Sequence, residues 1–193
     1  YTCDLSPAQE EVDTLRSYLI NGGKWFGLHG TNALIEFVGE MQIVDGLEIP
    51  GKTDTPNKNP ELMKLLGSRF IAHPPNMTIK VKINDKSHPI TKGLEDFEIF
   101  DEPYYCEFSD GIKILLESRY TDDADAYVNS SWKEDIPRPQ MYLHKVGKGD
   151  VLYLMLGHCR GKYDMRPFMD ECPVDRGGWE SEAFYELLRR GIS

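Results

Sequence analysis

Two of the five histidines stand in the same local setting. His29 closes "FGLH" and His158 closes "LMLGH", each ring following directly on a short apolar run. A third apolar run, "FEIFDE", ends on Asp101 and Glu102. Two imidazoles and a carboxylate gathered at one place suit a divalent metal, zinc or similar. They also suit acid–base work near neutral pH. His29, His158 and Glu102 are therefore the candidate catalytic residues and the candidate metal ligands. The plainer alternative is a set of hydrogen-bonded histidines at strand ends. The shared placement of His29 and His158 favours the functional reading for that pair.

The remaining candidates carry less. His73 in "HPP" and His88 in "HPIT" precede prolines, which bias them to extended turn geometry, so structural roles come first for both. His144 alternates within "MYLHKV" as an exposed strand residue. Cys159 follows His158, but adjacent side chains on an extended chain point opposite ways, which makes them a poor nucleophile–base couple. No GxSxG elbow is present. Gly22-Gly23 and Gly147-x-Gly149 read as turns, not as a phosphate cradle, so no nucleotide cofactor is indicated. Trp132 in "YVNSSW" can stack on a sugar ring or pack locally.

These residues need elements to position them. Ser6-Pro7-Ala8-Gln9 reads as a capping box opening a helix with Val12, Leu15, Tyr18 and Leu19 on one face. Gly22-Gly23 ends it, and "KWFGL" follows as a buried strand with His29 at its carboxyl end. A strand before Tyr1 would make this a βαβ unit in a parallel sheet. Ligands of such sheets bind outside the carboxyl ends of the strands. "TNALIEFVGEM" reads as a short helix, residues 45–60 as a long loop, and "PELMKLLG" as a short helix. "TIKVKIN", "FEIFDE", "IKILLES", "QMYLHKV" and "VLYLMLGH" read as strands, with Gly147-Lys148-Gly149 turning the last pair. "ESEAFYELLRRGI" closes the chain as an amphipathic helix.

The 193 residues, 40% hydrophobic and 28% charged, describe a single globular domain, 1–193. A chain of this length buries roughly 70% of the surface it exposes unfolded. The net charge of −10 argues against nucleic acid and anionic membrane as partners. No apolar run approaches the ~20 residues of a membrane span. Cys3, Cys106, Cys159 and Cys172 are scattered and show no metal-type spacing, as suits a reducing compartment. "YTCDLSP" reads as the end of a strand entering a helix cap, so the expectation is that the N-terminus is incomplete. A cytoplasmic setting is expected on these grounds, with secretion or a periplasmic location as the alternative.

Several ordered stretches together resemble the ThuA-like family, named for trehalose utilisation, of the class I glutamine amidotransferase-like superfamily. The helix, double glycine and "GLHG" match Ser6 to Gly30. "LLGSRFIAHPP" (Leu65–Pro75) is similar to the family's LLGGRFxxHPP. "HPITKGLEDFEIFDEPY" (His88–Tyr104) is similar to HPITxGLxDFxxxDELY, and "VGKGDVLYLMLGH" (Val146–His158) to YGKGRVFYxxLGH. "LLRRGI" matches near the end. Two positions depart: Cys159 stands where the family has Asp, and Pro103 where it has Leu.

The resemblance implies an α/β, flavodoxin-like fold: a doubly wound, mainly parallel sheet with helices on both faces, its first β-α-β portion lying outside this chain. It implies that the elbow position, a nucleophilic Cys in glutamine amidotransferases, lies near His29, so glutaminase chemistry is lost. It implies a small-molecule carbohydrate ligand. Gly30, Thr31, Asn32, His73, Asp101 and Tyr104 would line the pocket. The expected activity is that of a sugar hydrolase or isomerase-type enzyme. Two alternatives stand beside it: a non-catalytic carbohydrate-binding or assembly module, and a residual hydrolase using Cys159. Homo-oligomerisation stays open. The stretch 159–178, with Arg160, Lys162, Arg166 and Arg176 among acids, is expected to form a lid.

Overall fold

A computed structural model describes residues 5–44, 47–49, 51–132, 134–164, 166 and 170–193. Chain order begins with α1 (Gln9–Ile20) and β1 (Lys24–Leu28), then a single 3-10 turn, His29–Asn32. Short strands follow: β2 (Glu36–Val38), β3 (Gln42–Val44), β4 (Leu47–Ile49) and β5 (Lys52–Asp54). Then come α2 (Pro60–Leu66), β6 (Ser68–Ala72), β7 (Met77–Ile83), β8 (Phe97–Asp101) and β9 (Tyr105–Phe108). β10 (Lys113–Ser118), β11 (Arg138–Val146), β12 (Gly149–Leu154), a second 3-10 turn at Gly177–Glu180 and α3 (Glu182–Ile192) complete the order.

The main sheet has the order β1-β12-β11-β10-β7-β8. β1 pairs with β12 in parallel, Leu28 opposite Leu154. The four remaining pairings are antiparallel, so the sheet is mixed, with its parallel contact confined to one edge. Four successive reversals bring β8 back to the direction of β12. The carboxyl ends of β1, β12 and β8 therefore share a rim, as the positions of His29, His158 and Glu102 had suggested. Five strand steps would separate β1 from β8 by about 24 Å in a flat sheet. Glu102 nonetheless reaches His29 at 3.2 Å, so the sheet curls until its two ends meet above the rim.

Helices cover both faces. α3 lies on the face of Phe26 and Leu152, where Gly191 sits too close to either ring or methyl for a side chain of its own. On the other face Tyr142 and Tyr153 stack at 5.5 Å, and the Tyr142 hydroxyl donates to Leu66 O at the end of α2. Both tyrosines are fully buried. β7 shows the alternation of "TIKVKIN", with Ile79, Val81 and Ile83 inside. α2 starts on Asn59, which caps Leu62 N, and stops on Gly67 at φ 82°.

Several expectations change. α1 begins at Gln9, with Ala8 rather than Ser6 as its cap: the Ala8 N–H donates to the Glu11 carboxylate at 2.8 Å, so the reciprocal partner is Glu11 and not Gln9. The short helix expected after His29 is one 3-10 turn followed by strand β2, because Ala33 is already extended and Phe37-Val38 favour a strand. The long loop 45–60 contains β4 and β5, paired with β3 and β2; residues 45, 46 and 50 lie outside the described residues. His144 is half-buried, not exposed. Its Nε2 lies 3.0 Å from Lys64 O, tying β11 to α2. Cys3 and the segment at Tyr1 lie outside the described residues, as do 165 and 167–169 of the expected lid. No helix of the described residues is long and apolar enough to cross a membrane.

Candidate functional site

The chain leaves β1 through an uncommon backbone. His29 has φ 41°, the one non-glycine residue with positive φ among the described residues. A β-carbon disfavours that region, so the surrounding structure has to hold it there. Three contacts do so. The Tyr153 hydroxyl donates to His29 O at 2.6 Å and accepts the Asn32 N–H at 2.8 Å. The ring nitrogen Nδ1 lies 2.6 Å from Met155 O. The ring face lies against Tyr104, centroids 4.2 Å apart. The result is a fully buried imidazole aimed along one direction.

That direction is Glu102. His29 Nε2 lies 3.2 Å from Oε2. His73 Nε2 lies 3.1 Å from Oε1, and His158 Nδ1 lies 3.3 Å from the same oxygen. Three imidazoles thus surround one carboxylate that is itself 12% exposed. Each arrives on a different element: His29 after β1, His158 four residues past β12, His73 directly after β6, and Glu102 in the turn from β8 to β9. The β6–β9 pairing, Ala72 opposite Tyr105, sets His73 beside Tyr104. His73 and Tyr127 meet edge to face at 5.0 Å.

Proton positions follow from the partners. A carbonyl can only accept, so His29 carries its proton on Nδ1 facing Met155 O, and His73 carries one on Nδ1 facing Pro74 O at 2.7 Å. In both rings Nε2 is left facing Glu102. There it holds either a second proton or a bare lone pair, and the lone pair suits a cation set between imidazole and carboxylate. Backbone carbonyls orienting the far nitrogen are the usual support for metal-binding histidines. His29, Glu102 and His158 form a group whose donor atoms lie within 4.8 Å of one another. Two ligands on one tetrahedral zinc ion lie about 3.4 Å apart, given bond lengths of about 2.1 Å. His73 stands outside that group.

Burial pushes the Glu102 carboxyl up, but His73, His158 and His29 outweigh burial and hold it well below the usual carboxylate range. Burial lowers His158, yet Glu102, with Asp175 and Asp101 behind it, raises that ring above its usual value. For His73 burial prevails over the pull of Glu102 and the ring is lowered. The His158 Nε2 atom is buried and lacks a hydrogen bond among the described residues; Asp175 Oδ2 lies 3.6 Å away.

The other expected pocket residues fall into two groups. Tyr104 is buried against His29. Thr31 and Asn32 are buried too: Thr31 donates to Leu28 O at 2.6 Å and Asn32 to Ser68 at 2.6 Å, both bracing the turn below the ring. Gly30 lies within that turn. Asp101 is fully buried and accepts backbone N–H groups. His88 accepts the Ile90 N–H in its own turn, away from the centre. Trp132 stacks on Tyr105 at 5.1 Å. Cys159 is half-buried, and burial raises its thiol. Asp175 carries no signal in the residue order. It lies in the 159–178 stretch, where it pairs with Arg160, and only its place in space marks it.

A family model described as ThuA, trehalose utilisation, matches residues 50–172, more than half of the chain. No curated protein matches the sequence. Among solved structures, a ThuA-like protein of Bacteroides uniformis superposes with a TM-score of 0.60 at 19% identity, covering 98% of this chain and 65% of its own. A ThuA-like protein of Parabacteroides merdae gives 0.59 at 20% identity, covering 98% and 66%. The chain thus spans just under two thirds of the length of these two neighbours, and at such identities the likeness is one of fold.

Proposed function

The chain belongs to the ThuA family, and we propose that it acts on a carbohydrate at the His29–Glu102–His158 centre, as a sugar-processing enzyme without glutaminase activity. The observation that supports this most is the convergence of three imidazoles on one half-buried carboxylate, with the proton positions of two rings set by backbone carbonyls. A divalent cation fits the donor set, and His29, Glu102 and His158 would hold it. When bound, such an ion polarises a substrate oxygen or lowers the pKa of a water.

The chain's own groups supply the rest. Glu102, ionised at neutral pH, fixes the orientation of the rings around it. His73, outside the ligand group and 22% exposed at its side chain, is placed to take or give a proton at Nε2. Tyr104 backs the His29 ring. The turn after β1 carries an imidazole where a glutaminase needs a thiol, so a thioester cannot form there. Cys106, whose thiol burial pushes up to about 12, lies beneath the turn against Asn32 and offers no thiolate.

The complete burial of His29 favours a second reading, in which a sugar is bound but not turned over. The two readings separate in one experiment. Protein purified without chelator or histidine tag is assayed for metal, then offered trehalose and related sugars, with product analysis and calorimetry in parallel. Product formation that His29→Ala and Glu102→Gln both abolish supports the enzyme. Heat of binding with no product supports the module. Turnover unchanged in both variants removes the centre from the chemistry.

A further inference from the structure

Asp101 has an unusual place beside this centre. It is fully buried, and its two oxygens collect three backbone N–H groups. Oδ1 accepts from Glu102 N at 2.7 Å and from His158 N at 3.0 Å. Oδ2 accepts from Gly157 N at 2.8 Å. One donor belongs to the segment leaving β8 and two to the segment leaving β12. A side chain added at Gly178 would put its Cβ 2.3 Å from Oδ2, so the backbone closes over that oxygen and keeps ligand away from it.

We propose that Asp101 is a positioning residue: it bolts the backbone of Glu102 to that of His158 and so sets the distance between those two side chains. The proposal rests on the reading of His29, Glu102 and His158 as the functional centre. The sheet brings β8 and β12 to one rim by curling, and curling alone leaves their exits loosely related. A carboxylate is an acceptor at both oxygens, which lets one residue hold donors from both exits at once. Asn has the same shape but a single acceptor oxygen, so one of the three N–H groups must lose its partner. Displacements of about 1 Å at such a centre are felt strongly in its chemistry.

The test uses the whole 193-residue chain and the variants Asp101→Asn and Gly178→Ala, the second crowding Oδ2 while leaving the carboxylate in place. Leu116→Ala, a buried change within β10, serves as a control for general loosening. Imidazole nitrogen NMR of the metal-free protein reads each ring, with His88 and His144 as remote references, and Co2+ titration reads the centre. The expected result is that both variants shift the His158 ring signals while His88 and His144 stay put. Co2+ affinity then falls about 10- to 100-fold, as for other groups that orient metal ligands, and Leu116→Ala leaves both readouts alone. An unmoved His158 signal overturns the proposal, as does movement of all five rings together or a loss of affinity matched by Leu116→Ala. Failure of the unaltered protein to take Co2+ removes the metal reading instead, and the His158 signal still decides the role of Asp101. Should Asp101→Asn not fold, Gly178→Ala decides alone.

Discussion

Glu102 is the residue on which the local electrostatics turn. Its carboxyl is held below the usual range by three imidazoles, against the effect of burial. A carboxylate with a depressed folded-state pKa adds stability above the unfolded value, about 4.3, and loses that contribution as pH falls through the folded one. In metal-free protein, the stability gap between the wild type and Glu102→Gln should be present above about pH 4.5 and shrink below it, by urea unfolding. His158 runs the other way. Its pKa is raised, so its contribution is complete below about pH 6.5 and fades as pH climbs past the raised value. A stability gap for Glu102→Gln that does not change with pH would contradict this electrostatic account. At this scale the sequence was partly readable. His29, His158 and Glu102 stood out because each follows an apolar run. His73 read first as a turn residue, since its approach to Glu102 depends on β6 pairing with β9, a contact no local pattern encodes.

Between elements, the turn after β1 is held by the neighbouring strand. Tyr153 on β12 both donates to His29 O and accepts from Asn32 N. Tyr153→Phe removes both of these hydrogen bonds to buried backbone groups, a loss of about 1–3 kcal/mol. We expect a loss of about 1–3 kcal/mol in urea unfolding, with weakened metal uptake, because Tyr153 is one of the contacts that hold the turn at His29. Gly67 ends α2 in the left-handed region, and a Cβ there would meet His144 at 2.7–2.9 Å. Gly67→Ala should cost at least about 1–3 kcal/mol through backbone strain, with the His144 contact adding to it, and should leave the centre untouched, a separation that parallel stability and metal-binding measurements check. Strands with clear alternation, such as β7, and helices with clear caps, such as α2, were legible from residue order. The mixed pairing of the sheet was not, because a short apolar run looks the same in a parallel or an antiparallel ladder. The β2–β5 hairpins were hidden by their Gly, Pro and Asp content, which reads as loop.

Across the molecule, the curl of the sheet turns three strand ends into one centre. The acidic surface, −10 overall, suits a neutral small ligand better than a polyanion. Thiol chemistry has no part in the account. Cys106 and Cys172 are held within the fold, and Cys159 has a raised thiol. Alkylation with iodoacetamide at neutral pH should leave any sugar turnover intact, and a block of turnover on modification of Cys159 would revive the hydrolase reading. The most direct test is the metal content of the chelator-free chain, wild type against a His29→Ala/His158→Ala double variant that remains folded. The account predicts about one divalent ion per chain in the first and none in the second. Equal content in both, or none in the wild type even after incubation with Zn2+, would contradict it.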